Sequence, residues 1–365
     1  MTGGPDYPGD ETAFTEDSAD KLTFHTVAGP VVQAIATIGS RREQVGTCLA
    51  ARWLWLADGA ELRQVLIDGA ARQEGYERLD NEILAGLRLA RAAAPTAYPP
   101  EVSRLYGYDP VSAEPFALLE PYRGEALAEV GQQLLPDDHH QFQISLLRGL
   151  CWLAAAGIAH RGIGPSTVRW DGRQVQITDF SQATVIGAPR TVIGAPPWAA
   201  PEQRDDHVGG EVSGKDDIWA AGRLIFYVRT GEQLTAKGQL TDWPALVSLL
   251  DGVFGPPEDR PTAAEMLVGR LGEASPVPRG VDPDRKLEEG RRRFYAVRAR
   301  KHPPQTALVE QAWGPPTPPG PQVGQAQVQS DGGPGGGRRG TRRFGWRAGG
   351  TATMLALTSV SWLLR

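Results

Sequence analysis

The spacing of apolar residues changes part-way along this chain, and that change limits its architecture more than any other feature. Before residue 120 the apolar residues fall in short runs broken by turn residues; from Asp137 they fall at helical intervals. "TCLAARWLWLADG" (47–59) and "ELRQVLIDGA" (61–70) are two such runs, separated at Asp58-Gly59, a hairpin turn signal. "PFALLEPY" (115–122) reads as a further buried strand, and "YERLDNEILAGLRLAR" (76–91) as a helix with one apolar face. "DDHHQFQISLLRGLCWLAAAG" begins on acids and ends on Gly157, a start and a stop for a second helix. Strands with one helix, followed by mostly helices, predict a two-lobed α+β body.

That body is expected at 21–275, with a strand-rich lobe at about 21–120 and a helical lobe at about 121–275. Residues 1–20 hold six acids and no Lys or Arg, and read as a disordered acidic end. Residues 282–302 read as a basic helical extension, and 303–347 as a Pro/Gly-rich disordered linker ending in a cluster of five Arg. The uncharged run 348–364 follows, a candidate transmembrane segment at the short end of the spanning range. Those arginines would hold the folded part on the cytoplasmic side. Cys48 and Cys151 show no metal spacing and are expected as reduced thiols of a cytosolic fold.

One stretch raises a chemical question. "AHRGIGPSTV" (159–168) has the form of a catalytic loop, His160-Arg161, with Gly162 where a carboxylate would stand and Thr167 where an Asn would. Four other segments follow at sensible spacing: "ITDFSQA" (177–183), "GAPPWAAPEQ" (194–203), "DDIWAAG" (216–222) and "DRPTAAEML" (259–267). In this order they resemble the eukaryotic-type Ser/Thr protein kinase family, over about 21–270. The resemblance implies a two-lobed kinase-like fold. It gives Asp179 as a metal-holding carboxylate, Asp217 as the brace of the catalytic-loop backbone, and Glu202 and Arg260 as an ion pair holding the activation segment.

Phosphoryl transfer depends on positioned charge, and each charged part can be sought. The glycine-rich loop reduces to Gly39 and Gly46, which serve better as turn formers than as phosphate clamps. The strand lysine is replaced by Asp68, and no Lys occurs between 22 and 214. Arg63 and Arg72 lie nearby, five residues early and four late, with unlike geometry. The helix acid that would pair with the lysine falls best on Asp80, with Glu82 the close alternative, so that Asp68 would face a second carboxylate. The base is absent at Gly162, and Thr167 stands in a loop without catalytic duty, where its loss should matter little.

The bracing residues are kept and the reacting ones are gone. The expected function is that of a catalytically impaired pseudokinase, a signalling scaffold or regulator with protein partners and no nucleic acid. No cofactor is expected, and Mg-ATP is the one to test. The alternatives are an active atypical Ser/Thr kinase and a nucleotide-binding sensor without transfer.

Overall fold

The computed structural model describes residues 19–278, apart from 46–47, 69–71, 95, 132–133, 195, 205–208 and 235–236. The first half is dominated by strands: β1 (Ala19–Thr26), β2 (Gly29–Val45), β3 (Leu49–Leu56), β4 (Glu61–Ile67), β5 (Leu105–Asp109) and β6 (Phe116–Leu119). One long helix, α1 (Arg72–Ala93), separates β4 from β5. The β3–β4 hairpin turns at Asp58-Gly59 as the sequence predicts, with Gly59 at a left-handed φ of 84°.

All six strands pair antiparallel and close into a barrel of order β1-β2-β3-β4-β6-β5. Closure is the work of β1, which pairs with β2 along its length and returns to β5 through His25–Tyr108 and Thr26–Gly107. A sheet closed this way has no free edge. Alternate residues on each strand supply two faces. Phe24, Leu54, Leu62, Leu66, Phe116 and Leu118 fill the barrel. Leu49, Val65 and Leu119 face outward onto Leu79 and Ile83 of α1. Each large side chain so buried contributes roughly 1.5–3 kcal/mol.

The second half is helical. After β7 (Glu125–Ala126) and α2 (Leu127–Val130), α3 (Asp138–Ala155) leads into β8 (Ile158–Ala159). Short strands β9 (Val168–Trp170), β10 (Val175–Ile177) and β11 (Thr184–Val185) follow, then α4 (Gly214–Thr230), α5 (Pro244–Leu249) and a π-helical turn, Glu265–Arg270. Phe142, Leu146 and Leu150 of α3 pack with Leu224 and Ile225 of α4 in the largest apolar cluster. Ser213 caps α4, accepting from the Lys215 amide at 3.1 Å.

One expectation is corrected. A membrane-anchored cytoplasmic domain was expected from 348–364, but among the described residues no helix is long and apolar enough to cross a membrane. The run 348–364 lies outside the described residues, as do 1–18 of the acidic end, 282–302 and 303–347. Strand β1 begins at Ala19, two residues inside the stretch read as a disordered end.

The barrel seam offers a direct test of this closure. A Cβ on Gly107 would sit 2.5 Å from the Phe24 ring and 2.8 Å from the His25 carbonyl oxygen. Gly107→Ala should therefore push β1 off β5 and lower stability by about 1–3 kcal/mol, read by chemical denaturation. An unchanged midpoint would show that the β1–β5 pairing carries no strain at that point.

Candidate functional site

The loop that leaves β8 is held by one carboxylate. Asp217, buried on α4, accepts the His160 amide at Oδ2 and the Arg161 amide at Oδ1, each at 2.7 Å. Arg161 takes a left-handed φ of 64°, a costly conformation for a residue with a Cβ, and these two bonds hold it there. Burial pushes the Asp217 carboxyl up to about 7 against the two amide donors, which favour its ionised form. The His160 ring is fully buried; its Nδ1 accepts from the Gly162 amide at 3.2 Å, so the proton sits on Nε2 and is donated to the Thr178 carbonyl at 3.0 Å. Burial lowers the pKa of this imidazole, in keeping with a neutral ring.

Thr167 closes the same loop. Its hydroxyl donates to the Gly162 carbonyl at 2.7 Å and accepts from the Gly164 amide at 3.1 Å. The expectation that Thr167 is dispensable is corrected: a buried hydroxyl with two such partners holds the loop together. Gly162 lies beside Gln182, whose Oε1 would be 3.2 Å from a Cβ at position 162.

Asp179 starts a short 3-10 turn, again at a left-handed φ, 63°, with Oδ1 accepting from the Ser181 amide at 3.3 Å. Helix α1 is tied to this turn: Asn81 Nδ2 donates to the Ser181 carbonyl at 3.0 Å, and the Phe180 amide donates to the Glu82 carboxyl. Glu82 is buried, and its carboxyl is pushed up to about 8, first by burial and then by the Asp179 charge, while the nearby Arg63 guanidinium opposes the shift. The preferred assignment of Asp80 is thus corrected to its alternative. Asp80 is exposed; Glu82, two residues on, faces Asp179.

Asp68 is corrected too. Its carboxylate pairs with Arg42 at 3.3 Å and does not face an α1 acid. The buried cation is Arg63, which lies five residues before the expected lysine position. It is 6 % exposed and lies 4.5 Å over the ring of Tyr122. Arg63 shares a strand face with Val65, and that alternation was the signal for it. Tyr122 was missed altogether. Arg169 approaches its ring at 5.8 Å and the Asp179 amide donates to its hydroxyl, which burial and the carboxylates of Glu82 and Asp179 hold protonated, well above the ordinary value. Gly39 packs under the Trp55 ring, 2.9 Å from where its Cβ would be, and Gly46 lies outside the described residues.

The third group braces the segment after β11. Arg260 is 2 % exposed and grips Glu202 with both forks, Nη1–Oε1 at 2.5 Å and Nη2–Oε2 at 2.8 Å. Its Nε donates to the Gly255 carbonyl at 3.0 Å. Arg190 and Asp216 form a second bidentate pair, at 2.8 and 3.0 Å. Arg161 donates to the Thr191 hydroxyl at 3.2 Å.

No family model matches the chain. Curated relatives do. It is 30% identical over 127 residues to a probable serine/threonine-protein kinase of Streptomyces coelicolor, covering 32% of this chain and 18% of that protein. It is 29% identical over 160 residues to mitogen-activated protein kinase kinase 7 of Arabidopsis thaliana, covering 42% and 51%. A match of 28% over 174 residues, covering 45% and 28%, reaches an inactive serine/threonine-protein kinase of Mus musculus. The chain is protein-kinase-like. It spans about half or less of the length of these three relatives.

Two outcomes follow for this kinase-like chain. Removing one partner of a buried ion pair leaves the other charge uncompensated, so Glu202→Ala should cost about 3–5 kcal/mol in a denaturation midpoint. Thr167→Ala should cost less, about 1–3 kcal/mol, and not zero. The second outcome concerns pH. Glu82 keeps a proton in the folded state that the unfolded chain releases near 4.5, so its share of stability is lost as pH rises from there to about 8. Glu82→Gln should flatten the fall in melting temperature between those limits. A parallel fall in both proteins would mean that Glu82 ionises freely in the fold.

Proposed function

We propose that residues 21–275 form a two-lobed kinase-like domain that no longer transfers phosphate efficiently and acts by binding protein partners in signalling. The observation that carries this reading is at Gly162. The position of the proton acceptor has no side chain, and the Gln182 amide occupies the space beside it, 3.2 Å from where a Cβ would be. A side chain there would press on that amide, which would have to give by a few tenths of an ångström.

The nucleotide side supports the same reading. Mg-ATP needs a cation for the phosphates and two or more oxygen ligands for the metal. Asp179 is available, but the Thr167 hydroxyl is committed to its own loop, and Glu82 is held as a neutral acid by burial. Among the described residues no group of three His, Cys, Asp or Glu side chains could hold a metal ion. Tyr122 lies over the Arg63 guanidinium and its hydroxyl accepts the Asp179 amide, so the cation and the ring nearest Asp179 are engaged with each other. These residues do not fit Mg-ATP. One feature favours the nucleotide-binding sensor as a second reading: Arg63 puts a buried cation beside Glu82 and Asp179, where a phosphate-positioning charge would be useful.

The test is phosphate transfer with the full chain. Neither the chain itself nor a generic protein substrate should take up γ-phosphate above background, and millimolar MgATP should leave the melting temperature unchanged. Loss of a positioned base typically costs roughly 10²–10⁴-fold. Gly162→Asp alone should remain at background because no lysine stands on β4 to position the phosphates and the Thr167 hydroxyl is committed to its own loop. Robust Mg²⁺-dependent labelling by the unaltered chain, abolished by Asp179→Ala, would establish the active-kinase alternative. A saturable melting shift without labelling, lost in Arg63→Gln, would establish the sensor.

A further inference from the structure

We infer that the mouth of the β-barrel is a binding site for a small organic oxyanion, an apolar body carrying a carboxylate or phosphate ester. Arg42 on β2 and Arg52 on β3 are direct cross-strand partners, and Arg52 pairs in turn with Gln64 on β4. Arg52 shares a strand face with Leu54, and Gln64 with Leu62 and Leu66, all three leucines being barrel-filling. Two like charges directly opposite each other on one face of a sheet are destabilising. A chain that places them at the end of a closed barrel carries a cost that an anion would remove.

The space for that anion exists. A cavity of about 380 Å³ opens there, within the range of roughly 300–1,000 Å³ typical of small-ligand sites, which favour barrel mouths. Arg42, Arg52 and Arg72 line it, together with the acids Asp68 and Glu114. Leu66, Ile67 and Pro115 supply an apolar wall.

The guanidinium groups are unequally committed. Arg52 is fixed through Nε to the Gln64 amide oxygen at 2.7 Å, leaving its Nη fork to point elsewhere. Arg42 meets Asp68 at 3.3 Å, but the two side chains are 54% and 38% exposed, and a pair so open to solvent is worth little. Arg72, the first residue of α1, is exposed. A planar guanidinium fork matches a carboxylate or phosphate edge bidentately. Three arginines against two acids leave one net positive charge for the ligand to meet, and the apolar wall asks for more than a bare inorganic ion.

The experiment is a calorimetric and melting titration of the full chain with phenyl phosphate, benzoate, inorganic phosphate and neutral benzyl alcohol. Phenyl phosphate, benzoate or both should bind saturably, more tightly than inorganic phosphate, and benzyl alcohol should not bind. Arg72→Gln, an exposed change that leaves the barrel wall intact, should weaken binding by about tenfold. Asp68→Asn should tighten it by releasing Arg42 from its pair. Arg52→Gln should abolish it, and circular dichroism would show whether that variant keeps its fold. The inference is overturned if neither organic anion binds, or if binding is unchanged in Arg72→Gln. Equal affinity for inorganic and phenyl phosphate would overturn the organic part of the assignment. The relative strengths of phenyl phosphate and benzoate decide which head group the site takes.

Discussion

The Asp217 carboxylate carries the shape of the central loop. One buried side chain accepts two successive backbone amides, from His160 and Arg161, and in doing so fixes the left-handed turn at Arg161. Without it two buried N–H groups would lose their partner, at roughly 1–3 kcal/mol each. Nothing in this arrangement depends on the side chain at 162. The residue that sets the loop and the residue that would react through it are separate, so glycine at 162 leaves the geometry standing. The same division explains the buried Glu202–Arg260 pair, which needs only its own two members and the carbonyls around it.

Around Asp179 the balance is different, because charges replace shape as the deciding quantity. Glu82 sits at the place on α1 where an ion pair with a lysine would be expected of a kinase-like chain, but the nearest cation, Arg63, is also engaged by the ring of Tyr122. A carboxylate buried beside another carboxylate is cheaper neutral than charged. The protonated Glu82 still accepts the Phe180 amide, so the helix keeps its tie to the 3-10 turn without a salt bridge. Docking of α1 has thus been retained by hydrogen bonding, through Asn81 as well as Glu82, where a charge pair would have made it dependent on a lysine.

What could be read in advance follows from how locally each feature is encoded. Asp217, Glu202 and Arg260 each sit inside a short run whose neighbours identify them, and the Asp58-Gly59 turn needs nothing beyond its own two residues. Residues 63, 68, 80 and 82 depend instead on which face of a strand or helix they occupy. Strand faces alternate at every residue, so reading to the end of "ELRQVLI" pointed to Asp68, whereas the buried charge beside Glu82 is Arg63. Two residues along a helix is more than half a turn, enough to move Asp80 to solvent and Glu82 inward. Tyr122 was illegible for another reason: its role comes from contacts with β4, β9 and the 3-10 turn, none of them near in sequence. Closure by β1 was hidden similarly, since its pairing with β5 joins residues more than 80 positions apart.

The barrel itself shifts where binding should be sought. An open sheet over a helix offers its edge and the gap below it; a closed barrel removes the edge and leaves its two ends. Here Arg63 and Tyr122, on the outer face of the barrel, are engaged with each other beside Asp179, whereas the mouth at Arg42 and Arg52 holds opposed like charges beside an open cavity. Polar groups satisfied by one another have little left for a ligand, whereas cations set against each other gain by admitting one. By that criterion the place in this fold most prepared to bind a small anion is the barrel mouth, away from the loop that gives the chain its kinase-like character.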